Sequence, residues 1–201
     1  MKILEDIKLF LKTIFVGPPK PSNLATRDNF WTYLHRDFMY TYLQFRLKYY
    51  VHDNQQSAEY RKLKTMWDAL LVGLENSYIA GLAKAILPLN KIQNGKKKGC
   101  QRYPKQIAIE TWLPAFKIRD WVALRHLRKW RNKVTVHIDS EMQGMADRKH
   151  MTSLMNEALQ AMTIIAKSYE PGADYEGDIK RFAESSERDF SKLLEIIKKE
   201  L

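Results

Sequence analysis

Apolar residues recur every three or four positions through most of the chain, and proline, glycine and polar clusters break that rhythm at a few points. Ile3, Leu4, Ile7, Leu11 and Ile14 predict an amphipathic helix over about residues 1–16. Glu5, Asp6, Lys8 and Lys12 interrupt it, so it lacks the continuous apolar segment of a signal peptide. Pro18, Pro19 and Pro21 end it. Asp28 is then read as the N-cap of a long helix to about Val51, with Phe30, Trp31, Leu34, Phe38, Tyr42, Phe45 and Tyr49 as its stripe. The period of that stripe is that of a packed helix face, which favours core over a base-stacking platform.

His52, Asp53 and Asn54 mark a turn. A second long helix is expected from about Ser57 to Leu87, on Leu63, Met66, Trp67, Leu70, Leu71, Leu74, Tyr78, Leu82 and Ile86, with Pro88 ending it. Residues 89–114, which include NGKKKG and two prolines, read as a long exposed basic connection. A third helix is expected from about Pro114 into the 130s, with Ile118, Trp121, Val122, Leu124 and Trp130 apolar. A fourth covers about Ala146 to Tyr169, with Met151, Leu154, Met155, Ala158, Leu159, Met162 and Ile165 inward, and Pro171-Gly172 ends it. A charged helix over 176–201 closes the chain on Phe182, Phe190, Leu193, Leu194 and Ile197. No strand pattern or internal repeat emerges. The expectation is an all-α domain over 1–201, a bundle of four long core helices in 28–169 flanked by the two end helices.

Charge adds a partner to this picture. The 201 residues carry 34 Lys and Arg against 23 Asp and Glu, a net charge of +11, which favours a polyanion. Lys96, Lys97, Lys98, Arg102 and Lys105 in the connection either contact phosphate or form a solvated charge run. The only cysteine, Cys100, allows no intrachain disulfide and no cysteine zinc cluster, which fits a reducing cytosol. No apolar run approaches the roughly 20 residues of a membrane span, so the expected location is cytoplasmic, with no membrane partner.

Common catalytic signatures are missing: no glycine-rich phosphate loop, HExxH, G-x-S-x-G or paired Cys/His metal spacing. Nothing fixes a metal geometry for His137 with Asp139, or with His126 and His150, and no metal or cofactor is expected. The run RNKVTVHID is different. Metal-free RNA cleavage needs a base for the 2′-hydroxyl proton and a cation for the charge that builds on phosphate. His137 suits the first task, Arg131 the second, and Asn132 can orient either. Arg125, Arg128, Lys129 and Lys133 surround the run with further candidate RNA contacts.

Spacing alone decides little, because Arg46/His52 and Arg119/His126 repeat it approximately. Only the third pair has Asn directly after the arginine and lies at the end of a basic helix. On one straight helix, residues six apart sit about 120° apart and about 9 Å along the axis, too far to converge on one phosphate. Either the helix deforms near Val134-Thr135-Val136, or two chains pool their motifs across a two-fold interface. The competing reading has Arg131 salt-bridging a neighbouring helix and His137 capping a helix end.

With Arg131, Asn132 and, after four further residues, His137 set late in a run of long helices, the sequence resembles the HEPN superfamily (higher eukaryotes and prokaryotes nucleotide-binding domains), most closely its AbiU-type abortive-infection branch. The resemblance implies a metal-independent endoribonuclease, dimeric with its cleft at the interface, acting as a toxin or antiviral effector. It also implies an antitoxin, in many cases a small nucleotidyltransferase. Some members carry a modifiable Tyr two residues after the His; here Asp139 stands there. The resemblance leaves the two end helices unassigned. The alternative functions are a non-catalytic RNA- or nucleotide-binding module of a defence complex, and a helical interaction protein whose basic face meets an acidic partner.

Overall fold

The computed structural model describes residues 26–54, 61–87, 108–136 and 147–200, and among them every regular element is a helix. The expected N-terminal helix lies outside these residues. The first described element is capped by Thr26, whose hydroxyl accepts the Asn29 N–H at 3.3 Å. Asp28, the expected cap, sits instead in the first turn of α1 (Arg27–Asn29), where its carboxylate faces the positive end of the helix dipole. The chain then widens into a π-helical stretch (Phe30–His35) before α2 (Arg36–Asp53). The wider turn lets two consecutive rings reach one aromatic group: Phe30 lies 5.6 Å from Tyr169 and 6.3 Å from Tyr175, and Trp31 lies 5.9 Å from Tyr175.

α2 is the central helix. Its predicted stripe of Phe38, Tyr42, Phe45 and Tyr49 belongs to the main core. Its opposite side, Leu43, Leu47 and Val51, belongs to a second core with Trp67, Leu71, Leu74 and Phe190. A single-stripe reading therefore missed half of its burial. α3 (Lys64–Ile86) runs antiparallel to it, with Gly81 against Thr41 and Glu75 against Lys48. Met66, expected to face inward, is exposed on α3. By length and composition α3 is apolar enough to cross a bilayer, contrary to the expectation that no apolar run approaches that length; half of its most apolar window is buried in the bundle.

Two corrections concern residues 108–120. The end of the supposed exposed connection forms a short buried helix, α4 (Ile109–Trp112), with Ala108 and Ile109 in the core. The next helix, α5 (Trp121–Val136), begins well after Pro114. Its start is set by α6 (Arg148–Tyr169): Glu157 accepts the backbone N–H groups of Arg119 at 2.6 Å and Asp120 at 3.0 Å. Asp120 in turn accepts the Ala123 N–H at 2.9 Å. Those bonds satisfy donors that the start of a helix otherwise leaves open. The phase shifts accordingly: Ala123 and Leu127 point inward, while Trp121 and Val122 are exposed.

Asp147 caps α6 by accepting the His150 N–H at 3.2 Å, and all seven predicted inward residues of that helix are buried. α7 (Tyr175–Glu200), expected to flank the bundle, is part of its core. Tyr175, Ile179 and Ala183 enter the main core and Phe190 the second, 5.8 Å from Trp67. Arg46 clamps it to α2 with bonds of 2.8 and 3.1 Å to Glu187. Among the described residues the architecture is a five-long-helix bundle around two cores.

Candidate functional site

α5 and α6 are antiparallel, which fixes where the end of α5 lies. Glu157 meets Arg119 and Asp120, and the His126 and His150 rings stack at 4.6 Å with 18° between their planes. This register sets the first residue of α6 beside about residue 128 of α5. The rest of α5 therefore continues roughly 12 Å past the N-terminus of α6. Arg131 is in that overhang, half-buried and engaged in contacts within the protein. Asn132 and Lys133 are described as helical backbone of α5, not as side chains. The backbone is α-helical through Val136. His137, and with it Lys96, Lys97 and Lys98, lies outside the described residues.

Arg125, Arg128 and Lys129 are all exposed and share the open face of α5. Arg131 is turned about 60° from Arg128, towards the flank of that face. The Arg125 guanidinium lies over the Trp121 ring, 4.7 Å from its centre. His126 and His150 stack face to face, so their ring edges do not converge on one point. His150 Nδ1 lies 3.3 Å from Asp147. Among the described residues no group of three His, Cys, Asp or Glu side chains is arranged to hold a metal ion.

Beside the α6 N-terminus lies a charged cluster that sequence reasoning missed. Arg148 forks onto Asp53 with bonds of 2.8 and 3.1 Å and stacks 4.6 Å from the Tyr49 ring centre. Lys48, buried, holds its ammonium 4.2 Å from the same ring and 3.9 Å from Glu75. Burial lowers the Lys48 pKa, and Glu75 partly opposes that shift. Burial pushes the Tyr49 hydroxyl up to about 12, and raises Tyr78 further. One signal was available in the sequence: Arg148 and Lys149 put two cations at the positive end of a helix dipole, a local conflict that calls for an outside partner.

At the other end of the bundle, Trp31, His35, Met39, Glu170, Tyr175 and Asp178 line a cavity of about 250 Å³. His35 Nδ1 and the Tyr175 hydroxyl are 3.1 Å apart, and burial lowers the His35 pKa against the pull of Asp178. The described chain thus presents a basic open helix face leading to Arg131, a charged cluster beside it, and a separate aromatic cavity. No protein-family model, no curated protein and no solved structure matches this chain.

Proposed function

We propose that this protein is a HEPN-like endoribonuclease of the AbiU type, a toxin or antiviral abortive-infection effector that acts in the cytoplasm without a metal. The observation that carries the reading is the run from Arg131 to His137, which begins on the overhanging end of α5 beside exposed Arg125, Arg128 and Lys129. The all-helical bundle is compatible with it. In this mechanism the 2′-hydroxyl attacks the adjacent phosphorus, the P–O5′ bond breaks, and the products carry a 2′,3′-cyclic phosphate and a 5′-hydroxyl. His137 takes the 2′-hydroxyl proton or supplies one to the leaving oxygen, Arg131 balances the phosphorane charge, and Asn132 orients them. The uninterrupted helix from Arg131 to Val136 favours pooling of residues from two chains, hence a homodimer. An antitoxin, of nucleotidyltransferase or other type, is the expected restraint.

The purified protein should cut total RNA in EDTA and leave DNA intact, because DNA lacks the attacking hydroxyl. Arg131→Ala and His137→Ala should each abolish cutting with helicity unchanged; full activity in both ends the assignment. One observation favours a second reading, a non-catalytic HEPN-like RNA- or nucleotide-binding module: Arg131 is half-buried and already engaged. RNA binding that survives His137→Ala, with no product from the wild type, selects it.

A further inference from the structure

Trp121 is 58% exposed and Val122 52%, adjacent on the first turn of α5, whereas Leu124, Leu127 and Trp130 further along are at least partly covered. The two side chains leave a small apolar patch open to a partner. Its companions indicate which. Arg125 lies over the Trp121 ring, and Arg128 and Lys129 extend the same face towards Arg131. Residues 121–136 contain no acid, so nothing on the helix itself neutralises this face.

We infer that the open face of α5 is a binding track for single-stranded RNA, with one base stacked on the Trp121–Arg125 pair and the phosphates running along Arg128 and Lys129 towards Arg131. A base needs a free aromatic or guanidinium plane, and single strands alone offer unstacked bases. Trp121 and Arg131 are ten residues apart, about 15 Å along the helix, so the stacked base lies a few nucleotides from the phosphate at Arg131. Charge argues against a second copy as the occupant. A two-fold contact over this face would oppose Arg125, Arg128 and Lys129 with their own equivalents, whereas a polyanion neutralises them. The inference rests on the RNA-directed reading of the Arg131 site and adds where, and in which form, the RNA is held.

The test is fluorescence anisotropy with a labelled oligouridylate and a duplex of equal length, for the full chain carrying His137→Ala so that RNA is not consumed. Trp121→Ala in that background should weaken oligouridylate binding roughly 5- to 150-fold. Trp121→Phe should keep most of the affinity while removing much of the tryptophan quenching. Duplex binding should be the weaker in the parent and change little on substitution. Thermal unfolding should not move, because Trp121 is exposed. Unchanged oligouridylate binding by Trp121→Ala, or tighter binding of the duplex, overturns this inference alone. No RNA binding by the parent overturns it together with the proposed function. A self-associated parent that Trp121→Ala turns monomeric, with RNA binding unaffected, makes this face a contact between copies.

Discussion

Arg148 and Asp53 each lie at the wrong end of their own helix, and they neutralise one another. Asp53 is the last residue of α2, where the dipole is negative, and Arg148 the first of α6, where it is positive. The bonds of 2.8 and 3.1 Å, with the guanidinium over Tyr49, join two helix ends. Both side chains are about half exposed, so solvent screens the pair. A double-mutant cycle with Arg148→Ala and Asp53→Ala, by urea unfolding, should give a coupling of about 0.5–1 kcal/mol that shrinks in high salt. Arg148→Lys should lose most of it, since an ammonium cannot fork onto the carboxylate.

The Lys48–Glu75 pair should behave differently, because Lys48 is only 1% exposed. Glu75→Ala leaves an ammonium in the core and should cost about 3–5 kcal/mol. Lys48→Met combined with Glu75→Leu should recover most of that loss, since apolar groups of similar size replace both charges. Denaturant unfolding of the two variants distinguishes a charge penalty from lost packing, which the double variant would not repair.

Buried tyrosines give the protein a defined alkaline response. The Tyr49 hydroxyl titrates near 12 when folded, against 10.0 in the unfolded chain. Between those values the folded state holds the proton that the unfolded state has lost, so stability falls as pH rises from 10 to 12. Tyr78 and Tyr175, both raised by burial, act in the same direction. Lys48 opposes them: its lowered pKa makes stability rise between that value and 10.5. Tyr49→Phe should remove about 2 kcal/mol of the loss at the upper end of this range, seen by urea unfolding against pH.

Gly81 marks the closest approach of α2 and α3. A Cβ there would sit 3.1 Å from Thr41 Cβ and Cγ2, and closer to Thr41 Oγ1, which is held by its bond to the Asp37 carbonyl at 2.8 Å. Gly81→Ala should therefore destabilise by about 1–3 kcal/mol despite its better helix propensity. Adding Thr41→Gly should return most of the lost melting temperature by clearing the contact.

If two chains pool Arg131 and His137, two dead variants should repair each other. Equal amounts of Arg131→Ala and His137→Ala, unfolded together and refolded, should regain about a quarter of wild-type RNA cleavage, because half the dimers carry one intact site. A site wholly within one chain regains nothing.

Periodicity along the chain was enough to determine the helical class, the stripe of α2 from Phe38 to Tyr49, and the inward face of α6 from Met151 to Ile165, because side-chain direction repeats with the helix turn. The basic character of α5 and the position of Arg131 near its end were legible for the same local reason. What periodicity could not determine is which faces find partners. The second side of α2 is buried because α7 and the start of α3 cover it, and Trp121 is open because nothing described covers it. The start of α5 depends on Glu157, 37 residues away from Asp120, and the cap at Thr26 depends on a single hydroxyl. Arg148 meets Asp53 across 95 residues of chain. Such pairings are set by the packing of whole helices, which no local pattern encodes, and they decide both where α5 begins and which of its faces stays open.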